Sequence, residues 1–135
     1  MMQKDLTKHR TTVLNIIKKA EVPLNARGVH SKAKEINLAT IYRALQYLEE
    51  NRYVTGFTIV CAKEGIIRYY YKQAQPHTHF LHCEECHSFF PYMDCTISNS
   101  IREIEKQYNF SVYSHVLYFI GKCKDCNRAK QKKVK

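Results

Sequence analysis

The sequence predicts an α+β protein in which an N-terminal winged helix-turn-helix is followed by a small β-β-α-β dimerisation domain with a four-cysteine zinc site. Two observations lead to this prediction. Three helical segments precede two β-rich runs in the first half, and two C-x₂-C pairs flank a helical segment in the second. We place the winged-helix domain at 1–75, the dimerisation and metal-binding domain at 76–127, and a basic mobile tail at 128–135.

Three helices are expected before residue 52. Residues 8–20 repeat apolar side chains at helical spacing, and Pro23 follows them. Asn25 is placed to cap a second helix that runs to about Lys34, and Asn37 to cap a third. The third helix has an inward apolar stripe made of Leu38, Ile41, Leu45 and Leu48.

Two β-rich runs follow the third helix, YVTGFTIVC (53–61) and GIIRYYYKQ (65–73), and a short turn joins them. Three helices and then a hairpin is the order of a winged helix-turn-helix, whose third helix enters the major groove of DNA. The outward face of that helix carries Ala39, Tyr42, Arg43 and Gln46. A plain three-helix core with a solvated outer face is the alternative interpretation.

The second half alternates strand and helix patterns. FLHC and HSFFPYM are typical of strands, residues 96–108 of an amphipathic helix, and residues 110–121 of one long strand. A small sheet with aromatic edges seldom stands alone, so we expect it to pair with a second subunit in a homodimer. Residues 128–135 have no apolar periodicity, which indicates the mobile tail.

The net charge of +10 lies at the two ends of the chain. Residues 1–52 hold 10 Lys/Arg and 5 Asp/Glu, residues 53–121 hold 5 and 6, and residues 122–135 hold 7 and 1. A basic N-terminal segment suits a phosphate-binding surface. The sequence shows no signal peptide or transmembrane pattern, so we expect a cytoplasmic protein without a membrane partner.

The six cysteines point to metal more than to disulfides in a reducing compartment. Thirty-six residues separate two C-x₂-C pairs, and two such pairs close a tetrahedral Zn²⁺ site. Four protein ligands leave no position for substrate, so the site is expected to be structural. The alternative is two unrelated pairs or a redox C-x-x-C. The predicted structural zinc ligands are Cys83, Cys86, Cys123 and Cys126.

The stretch HTHFLHCEECH (77–87) holds further metal-binding side chains. In an extended chain His77 and His79 project to the same side, so they could hold a second ion while the cysteines hold the first. The favoured third ligand is Cys61, at the end of the first wing strand. Further candidate ligands are Asp94, Cys95 and His82.

Family resemblance is carried by LATIYRALQYLEEN (38–51), PHTHF (76–80), the cysteine pairs and HVLYFIGKC (115–123). Through these motifs the chain resembles the ferric uptake regulator (Fur) superfamily of bacterial metal-responsive repressors over nearly its whole length. The resemblance implies four structural zinc cysteines and a sensing His-x-His at His77 and His79. Together with the helix face, it implies DNA contacts from Lys8, Arg10, Ala39, Thr40, Tyr42, Arg43 and Gln46.

Several positions depart from the family pattern. Three residues, where the family usually has two, separate His79 from the first cysteine pair. Pro23, Pro91 and the tyrosine run 69–71 stand where iron and peroxide sensors have a histidine and carboxylates. The chain is therefore expected to be closer to a zinc-sensing type than to an iron or peroxide sensor.

An accessory family site is not expected. His115 matches a histidine that the family sometimes uses there, but its usual partner position holds Lys122.

We therefore predict a metal-dependent, DNA-binding transcriptional repressor that controls metal homeostasis and binds a palindromic double-stranded operator. Its cofactors are a structural Zn²⁺ and a second divalent ion, Zn²⁺, with Fe²⁺ or Mn²⁺ as alternatives. One alternative function is a DNA-binding zinc protein with a lost or altered sensing site, and another is a redox or peroxide sensor. A zinc hydrolase is not expected, because the sequence has neither H-E-x-x-H nor H-x-E…P-C-x-x-C.

Overall fold

The computed structural model describes residues 6–73, 78–93 and 95–132, except the side chains of 130–132. The chain divides into two compact units, Met1–Gln73 and Ala74–Lys135. Within the described residues, no helix combines the length and apolar character needed to cross a membrane. The α+β class is as predicted, since helices lead into a hairpin and then into a β-β-α-β unit.

The first unit begins with α1 (Lys8–Lys19), α2 (Ala26–Lys32) and α3 (Leu38–Glu50). Each of these helices starts after a residue whose side-chain oxygen accepts a hydrogen bond from a backbone N–H of the first turn. The two predicted caps are confirmed: Asn25 accepts from Gly28 N at 2.7 Å, and Asn37 from Thr40 N at 2.8 Å. Capping therefore sets the start of α2 and α3 locally.

The core of this unit lies between the inner faces of the three helices. The predicted stripe on α3 is buried at Ile41, Leu45 and Leu48, and Leu38 packs at its edge. Val13 and Ile17 of α1 are also fully buried. Burial of each such side chain contributes about 1.5–3 kcal/mol through its removal from water. Because the buried residues of α3 lie on its inner face, the outward face remains available for other contacts.

The hairpin consists of β1 (Val54–Cys61) and β2 (Gly65–Lys72), paired antiparallel. Gly65 has φ +82°, a left-handed conformation that glycine adopts without a side-chain clash. Leu24, between α1 and α2, forms a two-bond bridge with Tyr70 of β2. This bridge fastens the hairpin to the helices as a wing.

The second unit contains β3 (His79–Cys83), β4 (Phe89–Tyr92), α4 (Ser98–Tyr108) and β5 (Tyr118–Gly121). The sheet order is β4-β3-β5, with β3 antiparallel to β4 and parallel to β5. The helix α4 supplies the crossover between the outer strands. The parallel register pairs Cys83 with Gly121, so the segments that follow β3 and β5 start side by side.

The structure corrects the prediction of one long strand over residues 110–121. Only Tyr118–Gly121 is a strand, and residues 110–117 adopt no regular structure. The reason is the length of its partner, because β3 has 5 residues and all pairing of β5 is with β3. Upstream, the backbone N–H of Val112 donates to the Glu105 carboxylate at 3.2 Å, a bond local to the end of α4.

The predicted mobile tail at 128–135 overlaps a helix, and its mobility stays a prediction. A helix, α5, runs over Lys124–Lys132, and residues 133–135 lie outside the described part of the chain. Alanine, arginine, lysine and glutamine favour helix even without an apolar stripe, and Asp125 in the first turn complements the helix dipole. Apolar periodicity alone therefore missed this helix.

Candidate functional site

Four cysteines of the second unit converge at the C-terminal end of the sheet. Cys83 ends β3, and Cys86 follows in the next turn. Cys123 comes just after β5, and Cys126 lies in the first turn of α5. The parallel pairing of β3 with β5 brings these two chain segments together, and all four sulfur atoms lie within 4.8 Å of one another.

The spacing of the sulfur atoms fits one tetrahedral ion. Two thiolates on a tetrahedral zinc, each bonded at about 2.3 Å, lie about 3.8 Å apart. Cys86 Sγ and Cys123 Sγ are 3.8 Å apart. The four residues that the C-x₂-C spacing predicts together are thus arranged in a way that is compatible with a zinc site.

Electrostatics at this cluster favour a cation. Burial raises the pKa of the Cys83 thiol, but backbone N–H groups of Cys86, Cys123 and Glu85 outweigh this and lower the pKa to about 6. One of these donors, Cys123 N, lies 3.3 Å from Cys83 Sγ. The adjacent Cys123 side chain raises the pKa of Cys126 to about 12. Four thiolates at this spacing repel one another, and a divalent cation relieves that repulsion.

A second cluster in the same unit consists of His79, Cys95 and His115, whose ligand atoms also lie within 4.8 Å of one another. His79 starts β3, Cys95 lies between β4 and α4, and His115 lies in the segment before β5. His115 Nε2 is 3.2 Å from His79 Nε2 and 3.5 Å from Cys95 Sγ. Three separate chain segments therefore meet at one group of soft and borderline ligands.

The outward face of α3 in the first unit is polar and accessible. Tyr42 is 51% exposed, and its neighbour Arg43 is exposed as well. The exposed set on this face also includes Ala39 and Gln46, while Thr40 is half-buried. An exposed helix with aromatic, guanidinium and amide groups matches what base-edge recognition in a major groove requires.

A sequence model of the ferric uptake regulator family matches residues 2–120 of this chain, which include the whole winged helix and most of the second unit. The chain belongs to the ferric uptake regulator family. A ferric uptake regulation protein from Vibrio anguillarum is 30% identical over 125 residues, covering 89% of this chain and 81% of the relative. The counterpart from Haemophilus influenzae is 31% identical over 101 residues, covering 75% and 66%.

Solved structures agree with this assignment. The crystal structure of the Vibrio cholerae ferric uptake regulator (Fur) superposes with a TM-score of 0.75 at 27% identity, covering 88% of this chain and 92% of that one. Membership in the Fur family makes the chain a metal-dependent, DNA-binding transcriptional regulator. It also indicates a regulator and not an enzyme.

The predicted regulatory ligands of this Fur-family chain do not all lie together in the structure. His77 and Asp94 lie outside the residues that the structure describes. His79 and Cys95 lie together in the second cluster. Cys61 is buried at the end of β1, in the first unit. His77, Asp94 and Cys61 therefore stay predictions as ligands.

His82, a further predicted ligand, is buried on β3 with its ring centroid 4.4 Å from that of Phe89. Among the described residues, neither ligand cluster contains it. Its position is that of a packed core imidazole, and its role as a ligand stays a prediction.

The sequence predicted no ligand role for His115. Its usual family partner position holds Lys122, and in the structure His115 instead contacts His79 and Cys95. Lys122 instead lies 3.7 Å from the Glu85 carboxylate. No local spacing could have revealed this contact, because His79 and His115 are 36 positions apart.

Two predicted DNA-contacting residues lie on α1. Lys8 is exposed, whereas Arg10 is partly covered and its guanidinium lies 3.5 Å over the ring centroid of Tyr47. Such a cation–π contact holds the arginine against α3. Arg10 therefore packs the N-terminal end of α1 against Tyr47 of α3. Its DNA contact stays a prediction.

Proposed function

We propose that this Fur-family chain acts in the cytoplasm as a homodimeric repressor of metal-homeostasis genes and binds a palindromic double-stranded operator when its second metal site is filled. The observation that carries the proposal is that one family match spans both a winged helix and a unit with metal-binding clusters. DNA recognition and metal binding thus belong to the same polypeptide.

The first metal role is structural zinc at the four cysteines. Zinc at this position would join the turn after β3 to the start of α5 and thereby close the second unit. All four coordination positions belong to cysteines, so the ion has no open position for exchange with a substrate. Its proposed contribution is folding free energy.

The second metal role is regulation through His79. His79 belongs both to the predicted sensing pair, His77 and His79, and to the second cluster. It is 4% exposed and lies at the first position of β3, directly after the stretch that leads out of the first unit. An ion that binds more tightly to the DNA-competent conformation shifts the population toward that conformation.

The DNA contacts proposed for α3 come from Tyr42, Arg43 and Gln46. Gln46 Nε2 donates to Glu50 Oε1 at 3.0 Å, so its amide is oriented along the helix before any DNA binds. Arg43 is suited to a bidentate contact with guanine, and the Tyr42 ring to apolar contact with a thymine methyl group. Lys8 is suited to phosphate contact from the start of α1.

Exposed apolar side chains of the second unit support the homodimer. Leu81 pairs in register with Phe90 on β4 and Phe119 on β5, and all three are at least 40% exposed. On α4, where no residue is buried, Tyr108 is 68% exposed. Exposed apolar side chains aligned across three strands are typical of an interface with another chain.

The deciding experiment is operator binding with and without metal. Protein that retains its structural zinc is titrated onto fluorescent DNA, first with a chelator too weak to remove zinc from four thiolates and then with added Zn²⁺. The proposal predicts at least tenfold tighter binding with the added ion, about 1.4 kcal/mol. Equal affinity in both conditions would favour a DNA-binding zinc protein without a sensing role.

A further inference from the structure

We propose that His79, Cys95 and His115 form a thiolate-containing second metal site that selects Zn²⁺ over Fe²⁺ and Mn²⁺. The site itself is argued from the second unit alone. Only its link to operator affinity rests on the proposed function.

Distances between the ligand atoms fit an ion at their centre. On a tetrahedral zinc with Zn–N bonds of about 2.0–2.1 Å and a Zn–S bond of about 2.3 Å, two nitrogens lie about 3.3 Å apart and nitrogen and sulfur about 3.6 Å. The corresponding distances are 3.2 Å for His79 Nε2 to His115 Nε2 and 3.5 Å for His115 Nε2 to Cys95 Sγ. Both agree with tetrahedral ligation.

Hydrogen bonding alone explains this arrangement less well. The Nε2 atom of a neutral imidazole has either one N–H or one lone pair in the ring plane. His115 Nε2 faces both the His79 nitrogen and the Cys95 sulfur, so one of these contacts lacks a good hydrogen bond. A cation satisfies the lone pairs of all three atoms at once.

The backbone supports two of the three ligands, His79 and Cys95, before an ion binds. His79 pairs with Tyr92 in the β3–β4 ladder. The Cys95 carbonyl accepts from the Ser98 hydroxyl at 2.9 Å, which ties Cys95 to the start of α4. Cys95 and His115 are both half-buried, so the cluster is shielded from bulk water without being sealed. Ligands on supported elements bind with little reorganisation.

The ligand types decide the metal. Two imidazoles and one thiolate suit Zn²⁺, whereas Fe²⁺ and Mn²⁺ favour sites with more oxygen ligands. Among the described residues, the ligands that meet here, His79, Cys95 and His115, are two imidazoles and one thiol. Several relatives are named for ferric uptake, so this ligand set predicts that the present chain responds to a different metal.

Filling the site would connect three segments of the second unit: the start of β3, the loop before α4 and the segment before β5. Residues 110–117 have no regular structure of their own, so a shared ion would tie His115 to the start of β3. His79 is also the residue with which the chain enters the sheet, because it is the first residue of β3. Metal binding at His79 would therefore act on the chain at the start of β3.

The test uses full-length protein with its structural zinc bound, titrated with Co²⁺ as a spectroscopic probe. Wild type should bind one further Co²⁺ per chain with thiolate-to-cobalt charge-transfer absorption. Cys95→Ala should lose that absorption and weaken zinc binding at this site by about a hundredfold or more. The matched control is Cys61→Ala, which removes the thiol that the sequence alone favoured, and it should leave both properties unchanged.

A specificity measurement completes the test. Zinc outranks iron at most protein sites, so the diagnostic quantity is the change in preference between two proteins. In anaerobic competition between Zn²⁺ and Fe²⁺, Cys95→Asp should reduce the wild-type preference for zinc about tenfold, because it replaces sulfur with oxygen. If Cys95→Ala failed to fold, His115→Ala, in the irregular segment, would provide the same loss of affinity.

The proposal is overturned if Cys95→Ala keeps the charge-transfer absorption, if Cys61→Ala loses it, or if Cys95→Asp keeps the wild-type preference for Zn²⁺ over Fe²⁺. A site that binds zinc as expected while operator affinity stays unchanged would confirm the site and contradict the regulatory role. The two proposals therefore fail separately.

Discussion

The Arg68 guanidinium on β2 forms a two-point ion pair with the Glu49 carboxylate on α3, and it also donates to Thr58 Oγ1 on β1 at 2.8 Å. These contacts join the wing to the C-terminal end of the helix proposed to read DNA. A Cβ atom at Gly56 would lie 2.6 Å from the Glu49 carboxylate. A side chain at position 56 is thus incompatible with the present position of Glu49.

Gly56→Ala is expected to displace the Glu49 carboxylate and remove its coupling to Arg68. In wild type, a double-mutant cycle of Arg68→Ala and Glu49→Gln should give a coupling of about 0.2–1 kcal/mol, the range for partly exposed pairs. In the Gly56→Ala background the coupling should vanish. Urea unfolding measures both cycles, and Gly121→Ala is the control because no atom lies within 4 Å of its added Cβ. An undiminished coupling in the Gly56→Ala protein would contradict the steric argument.

Arg43→Ala is expected to weaken binding to the operator by about 1–3 kcal/mol if the guanidinium reads a base. Fluorescence anisotropy on operator and on scrambled DNA separates base reading from phosphate contact. Arg27→Ala serves as the control, since Arg27 is an exposed arginine on α2. Equal losses on both DNAs would assign Arg43 to phosphate, and no loss would remove it from the interface.

Cys123→Ser is expected to remove the structural zinc and to unfold the second unit together with the dimer. The reason is that the four-sulfur cluster ties the segment after β5 to the turn after β3. Metal analysis and light scattering report the two effects, with Cys61→Ala as the control cysteine. A Cys123→Ser protein that keeps full zinc content and remains dimeric would show that the cluster is not the structural site.

His79→Ala is expected to leave the structural zinc and the dimer intact but to reduce metal-dependent operator binding at least tenfold, about 1.4 kcal/mol of coupling. The measurement is operator affinity with and without added zinc. His87→Asn is a suitable control, because His87 lies in the same unit at φ 63°, a conformation that asparagine tolerates. A zinc response equal to that of wild type would rule out His79 as a sensing ligand.

Local signals explain why the first unit was predictable. Asn25 and Asn37 cap helices where the sequence places them, and the α3 stripe through Ile41 and Leu45 is buried as its spacing indicates. Capping and amphipathic spacing act within one or two turns, so a single sequence contains them in full. The four-cysteine cluster was predictable for a related reason, since each C-x₂-C pair is itself a local motif.

Predictions failed where a segment depends on its partners. Residues 110–117 have strand-like composition, but β3 offers room to pair only Tyr118–Gly121. Conversely, residues 128–132 lack an apolar stripe and nevertheless continue α5, because Cys126 anchors the helix at the four-cysteine cluster and its residues favour helix. A strand needs a neighbouring strand and a short helix needs an anchor, so apolar periodicity overestimated the strand before β5 and missed the helix α5.

The sequence by itself determined the fold class, the starts of the helices capped by Asn25 and Asn37, and the grouping of four cysteines in a cluster that is compatible with zinc. Only the tertiary structure decided that His79 meets Cys95 and His115. Those three residues come from segments with no shared spacing, and the crossover through α4 and the parallel pairing of β5 with β3 bring them together. Ligand sets assembled across a sheet depend on strand register, which a single sequence does not encode locally.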